Sequence, residues 1–173
     1  MKAFMIKLVR NLLQDSFINR KKAIKKYRKD KSLDICCGYG DYTNFIGIDN
    51  DENCIKFARE HHNPCFFNFL LGSALDLSFK AKSFNQSMLI DCLHHFKDKQ
   101  AVIKEAKRVS NEVLIIEDIK PNFLLRWIDK GKYFLTEKEL MELGNVAMIY
   151  DCGFYREMVI RENSKGERGR LNE

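Results

Sequence analysis

The chain has 173 residues, 45% of them hydrophobic, enough for one domain with a buried core. Its six cysteines form no Cys-x-x-Cys pair and no apolar run nears the roughly 20 residues that cross a bilayer, so a reduced, cytoplasmic protein with no metal or disulfide framework is expected. The formal net charge of +6 is uneven: residues 1–31 carry eleven Lys or Arg against Asp15 and Asp30, and such an arm suits nucleic acid, anionic lipid or an acidic substrate, or is simply a solvated helix face.

Residues 3–29 read as a basic amphipathic helix, with Phe4, Met5, Leu8, Val9, Leu12 and Leu13 on one stripe and Arg20 to Lys29 left wet. Strands are expected at 32–36 and 45–49. Asn50 or Asp51 then caps a helix over 51–61 that buries Ile55 and Ala58, and Pro64 precedes a third strand, Cys65–Leu71. Ser87–Ile90 reads as a fourth strand. Asp98 caps a helix burying Val102, Ala106 and Val109, and Val113–Ile116 is a fifth strand, so strand and helix alternate as in a parallel sheet.

Phe123–Tyr133 is ambiguous, compatible with a short helix through Trp127. Thr136-Glu137-Lys138-Glu139 is a capping box opening a helix that ends at Gly144. Val146–Tyr150 and Phe154–Ile160, joined by Asp151-Cys152-Gly153, read as an antiparallel pair. The expectation is a single α/β domain over 1–173: a basic helical segment (1–31), a core of mostly parallel sheet (32–162) and a polar tail (163–173).

Chemistry concentrates in Asp34-Ile35-Cys36-Cys37-Gly38-Tyr39-Gly40, a strand running into a glycine turn, and in Gly47-Ile48-Asp49, a second strand ending on an acid. That pairing suits an adenosine, with backbone beneath the ligand and a carboxylate for its ribose hydroxyls. No Gly-x-x-x-x-Gly-Lys sequence offers a phosphate cradle. Gly38-x-Gly40-x-x-Thr43 lacks the third glycine of a nicotinamide dehydrogenase.

Together with Leu75-Asp76-Leu77-Ser78-Phe79, Ser83-Phe84-Asn85 and Leu93-His94-His95-Phe96, these motifs resemble in order and spacing the S-adenosylmethionine-dependent methyltransferases with a Rossmann-like fold, most closely the small-molecule branch with the ubiquinone and menaquinone methylases. The resemblance covers about residues 32–119 and implies a seven-stranded, mostly parallel sheet closed by the C-terminal antiparallel pair. It also implies S-adenosylmethionine as cofactor, held by Asp34, Gly38, Gly40, Asp49, Asn50, Ser73, Leu75, Asp91 and Cys92. Asp34, Gly38 and Gly40 would lie under the methionine end and Asp49 on the ribose. Leu75 would lie by the adenine, and Asp91 or Cys92 by the sulfonium.

Three departures stand out: Cys36 and Ser73 replace a usual glycine and acid, and Asn85 replaces an acid. Only residues 37–45 separate Cys36 from Ile46, too few for a full crossover helix, so that helix is expected to be truncated and the N-terminal helix to cover the exposed face.

His94 and His95 follow the fourth strand, at the edge where open α/β sheets bind ligands, and either is a candidate to take a proton from the acceptor. The expected activity is direct methyl displacement onto a small-molecule or lipid-like acceptor. The N-terminal helix would make peripheral membrane contact, with nucleic acid the lesser alternative. The other reading is a degenerate methyltransferase-fold module that binds RNA or anionic lipid.

Overall fold

The structure is a computed structural model and describes residues 21–119, 133–143, 145–151 and 156–163. A helix over 21–27 (α1) leads into β1 (Ser32–Ile35), β2 (Ile46–Asp49), α2 (Glu52–His61), β3 (Asn68–Leu71) and β4 (Gln86–Ile90). After a 3-10 turn at Leu93–His95 come α3 (Lys99–Val109), β5 (Glu112–Ile119), α4 (Glu137–Met141), β6 (Asn145–Asp151) and β7 (Arg156–Asn163).

Five strands run parallel in the order β3-β2-β1-β4-β5. Beyond β5 the backbone of β7 pairs antiparallel with β5, Glu112 opposite Asn163, and β6 pairs antiparallel with β7. Strand order reverses between β1 and β4, and the carboxyl ends flanking that reversal open the crevice where such sheets bind ligands.

The β1–β2 connection contains no helix. Cys36 lies in the left-handed region at φ 59° and ends β1, and two turns follow, Gly40 donating to the Cys37 carbonyl at 2.9 Å and Thr43 to the Gly40 carbonyl at 3.2 Å. The strands are nonetheless parallel, with Leu33 opposite Ile46 and Ile35 opposite Ile48. The missing crossover helix is replaced by α1: Ala23 and Ile24 are buried against Met88, Ile90, Leu114 and Ile116, with Tyr27 and Tyr42 packed alongside. The expectation that Arg20 to Lys29 stays wet is therefore corrected at Ala23 and Ile24. The apolar stripe from Phe4 to Leu13 lies outside the described residues, as do most of 123–133, the turn after Asp151, Gly144 and the tail.

The opposite side of the sheet packs Leu33, Ile35, Leu89, Val113 and Ile115 against Val102, Ile103, Ala106 and Val109 of α3. Caps set the helix starts. Asp51 accepts from the Asn53 and Cys54 amides, Asp98 from Ala101, and the Thr136–Glu139 capping box is formed on both sides. The third strand is shorter than the apolar run Cys65–Leu71 suggests. Asn63 accepts the Cys65 amide on its side chain and both the Phe66 and Phe67 amides on its carbonyl, turning the chain until Asn68.

Candidate functional site

A cavity of about 530 Å³ opens at the carboxyl edge between β1, β2 and β4. Among the described residues, five carboxylates line it, Asp34, Asp41, Asp49, Asp51 and Asp91, together with Cys36, Gly38, Tyr39, Tyr42, Asn50, Ile90, His95 and Phe96, and no described lysine or arginine does. Such a wall favours a cationic ligand and disfavours a phosphate.

Asp34, Asp49 and Asp91 each have a local structural role. The Gly38 amide donates to Asp49 Oδ2 at 2.8 Å and the Asp51 amide to Oδ1 at 2.9 Å, so Asp49 ties the glycine turn to the start of α2. Gly38 itself sits at φ 51°, where glycine is at ease. Asp34 is only 2% exposed, and Thr43 donates its hydroxyl to Asp34 Oδ2 at 2.6 Å, closing the helix-free connection over β1. Burial, reinforced by the Asp49 charge and opposed by the Thr43 bond, pushes the Asp34 carboxyl up from 3.8 to about 7.

Asp91 turns the chain out of β4 in the left-handed region at φ 49°, which a short polar side chain tolerates. The next residues are held by Glu117, fully buried on β5. Its Oε1 accepts the Cys92 amide at 2.7 Å and the Leu93 amide, and its Oε2 faces His94 Nδ1 at 2.8 Å. His94 stacks on Phe134 with ring centroids 5.0 Å apart, and its carbonyl accepts the Tyr133 amide at 2.9 Å. Clamping of His94 leaves its neighbour His95 to line the cavity.

Of the residues singled out in the sequence, Asp34, Gly38, Asp49, Asn50, Asp91 and His95 line the cavity, while Gly40, Ser73, Leu75, Cys92 and His94 do not. Gly40, at φ 85°, is a packing residue: a Cβ there would lie 2.6 Å from the Phe69 ring. The Ser73 hydroxyl accepts the Leu75 amide at 3.2 Å and Leu75 is half-exposed. Cys92 and His94 are buried, the one in the core and the other against Glu117. Asn85, too, has a structural partner, donating to the Asp30 carbonyl at 3.0 Å.

Sequence reasoning missed Asp41, Asp51 as a lining acid, and Glu117. The signal for Glu117 was present as an acid directly after the apolar run Val113–Ile116, where an acid persists only if fully hydrogen-bonded. Burial pushes the thiols of Cys37, Cys54 and Cys92 upward, which keeps them protonated and unsuited to nucleophilic catalysis. Among the described residues no group of three or more His, Cys, Asp or Glu is placed to hold a metal ion.

Residues 31–112 match the model of the methyltransferase domain family. Over 100 residues the chain is 29% identical to a demethylmenaquinone methyltransferase of Staphylococcus carnosus, covering 51% of this chain and 42% of that protein. Over 87 residues it is 26% identical to a fatty-acid O-methyltransferase of Mycolicibacterium smegmatis, covering 44% and 32%. The chain thus spans less than half the length of these curated relatives. Among solved structures, it superposes with a TM-score of 0.67 and 19% identity on a Thermotoga maritima protein described as an SAM-dependent methyltransferase, possible histamine N-methyltransferase, covering 93% of this chain and 96% of that one.

Proposed function

From the match of residues 31–112 to the methyltransferase domain family, we propose that this chain is an S-adenosylmethionine-dependent methyltransferase with a Rossmann-like fold that transfers a methyl group to a small-molecule or lipid-like acceptor. The observation that carries the reading is the cavity wall, which among the described residues has five carboxylates and no lysine or arginine. S-adenosylmethionine fits it, since the molecule carries a sulfonium and an ammonium and no phosphate. When bound, it supplies an electrophilic methyl group.

The residues divide the work. Asp49, held by the Gly38 and Asp51 amides, presents its carboxylate to the ribose hydroxyls, with Asn50 beside it. Asp34 and Asp91 face the positive end, and Gly38 brings backbone close beneath it. His95 is the group that takes the acceptor's proton, and positioning of acceptor and methyl can lower the barrier by roughly 7 to 11 kcal/mol. The reading includes a seven-stranded sheet closed by the β6–β7 pair, supported by the backbone registers of β5 with β7 and β7 with β6. The similarity to enzymes that methylate demethylmenaquinone and fatty acids supports an apolar acceptor.

Incubation with methyl-labelled cofactor and separated lipid and polar extract fractions tests the reading. It expects label in an organic-soluble product with wild type and a large loss in His95→Ala; label in no fraction contradicts it.

A further inference from the structure

The described chain begins in a surface that the cavity does not use. Lys21, Lys22, Lys25 and Lys26 on α1, and Arg28 and Lys31 just after it, are all exposed, and residues 21–29 contain no acid. Lys29 is set apart, its ammonium 2.7 Å from the buried Glu112 carboxylate. Because Ala23 and Ile24 anchor the opposite side of the helix on the sheet, the lysines share its outward half. Lys21 with Lys25 and Lys22 with Lys26 are like charges one turn apart, a spacing that opposes helix formation. The patch adjoins the cavity: Tyr42, a lining residue, packs against α1, and Arg28 donates to its carbonyl at 3.5 Å.

We propose that this patch docks the protein on the surface of an anionic lipid bilayer. Charge complementarity favours a dense negative partner, and two features favour lipid over nucleic acid. Six of the seven cations in residues 21–31 are lysines, whose compact charges suit a diffuse headgroup layer rather than forked recognition of base edges. The one aromatic among them, Tyr27, packs into the core and has the Lys26 ammonium 5.1 Å above its ring, leaving no platform for base stacking. The apolar side of α1 is already buried, so this helix rests on headgroups without inserting, and its attachment depends on charge. No helix among the described residues is long and apolar enough to cross a membrane.

Co-sedimentation of the full chain with phosphatidylcholine vesicles, with and without phosphatidylglycerol, tests this apart from the methyl-transfer reading. The expected result is binding only to the anionic vesicles, at least about tenfold tighter, and lost at high salt. Lys22→Glu with Lys25→Glu abolishes it, whereas Lys56→Glu with Lys104→Glu, the same charge change on exposed residues elsewhere, retains it; cofactor affinity measured by calorimetry is unchanged in both. Equal binding to neutral vesicles, retention in the Lys22/Lys25 variant, or tighter binding to an unstructured RNA than to anionic vesicles at equal salt overturns the proposal.

Discussion

The Gly38 amide and the Asp49 carboxylate meet at 2.8 Å, which makes the acid that ends β2 the fastening of the turn that ends β1. Asp49→Ala therefore removes the proposed ribose acceptor and also unties the turn. We expect cofactor affinity to fall by about 2 to 3 kcal/mol, roughly 30- to 150-fold, with a smaller loss of stability from the freed Gly38 and Asp51 amides. Isothermal calorimetry and thermal melts separate the two effects, and unchanged affinity in a folded variant removes Asp49 from the site.

The Asp34 carboxyl, raised by burial from 3.8 to about 7, makes stability and binding depend on pH in opposite senses. Between those values the native state keeps a proton that the unfolded chain has released, so stability falls as pH rises from about 4 to about 7 and is level above, by up to roughly 4 kcal/mol in all. A cationic ligand needs the ionised form, so affinity for S-adenosylmethionine rises as pH passes upward through about 7, while S-adenosylhomocysteine, without the sulfonium, responds less. Asp34→Asn flattens both profiles in denaturant melts and calorimetry.

Gly38 and Gly40 separate by packing. A Cβ on Gly38 meets nothing within 4 Å, whereas one on Gly40 would meet the Phe69 ring at 2.6 Å. Gly40→Ala is expected to cost about 2 to 4 kcal/mol of stability and Gly38→Ala only about 1 to 2. Equal losses in urea unfolding would show that the turn, not Phe69, sets the requirement.

Glu117 holds the loop that carries His95. Glu117→Gln keeps an oxygen for the Cys92 and Leu93 amides and is expected to cost about 1 to 2 kcal/mol, whereas Glu117→Leu strands both and should cost about 3 to 5. Urea melts at neutral pH give both values, and a leucine variant as stable as wild type would refute the clamp.

Cys36 occupies a left-handed position, φ 59°, that glycine adopts without strain. For Cys36→Gly, relief of about 1 kcal/mol of strain offsets the entropy gained by the unfolded chain, so stability stays within about 1 kcal/mol. Cofactor affinity is expected to equal or exceed that of wild type, because a Cβ lining the proposed cofactor cavity is gone. Weaker binding in calorimetry would show that the thiol itself contributes.

What could be read from the sequence was local. The five parallel strands follow from apolar runs, with capped helices after the second and fourth, and Asp51, Asp98 and Thr136 act on amides within three residues of themselves. The short spacing before Ile46 also carried the absence of the crossover helix. What could not be read depends on distant partners. The role of Gly40 rests on Phe69, that of Glu117 on the loop after β4, and the burial of Ala23 and Ile24 on strands far along the chain. The pattern of an apolar strand from Cys65 gave no warning that Asn63 would bend it into a turn.

The most direct measurement is a calorimetric titration of the folded chain at pH 8 with S-adenosylmethionine, S-adenosylhomocysteine and ATP. The acidic cavity predicts one-to-one binding of S-adenosylmethionine, tighter than its neutral-sulfur product, and no binding of the triphosphate. Binding of ATP in place of S-adenosylmethionine, or of neither adenosyl ligand, would contradict the assignment of this cavity to a cationic methyl donor.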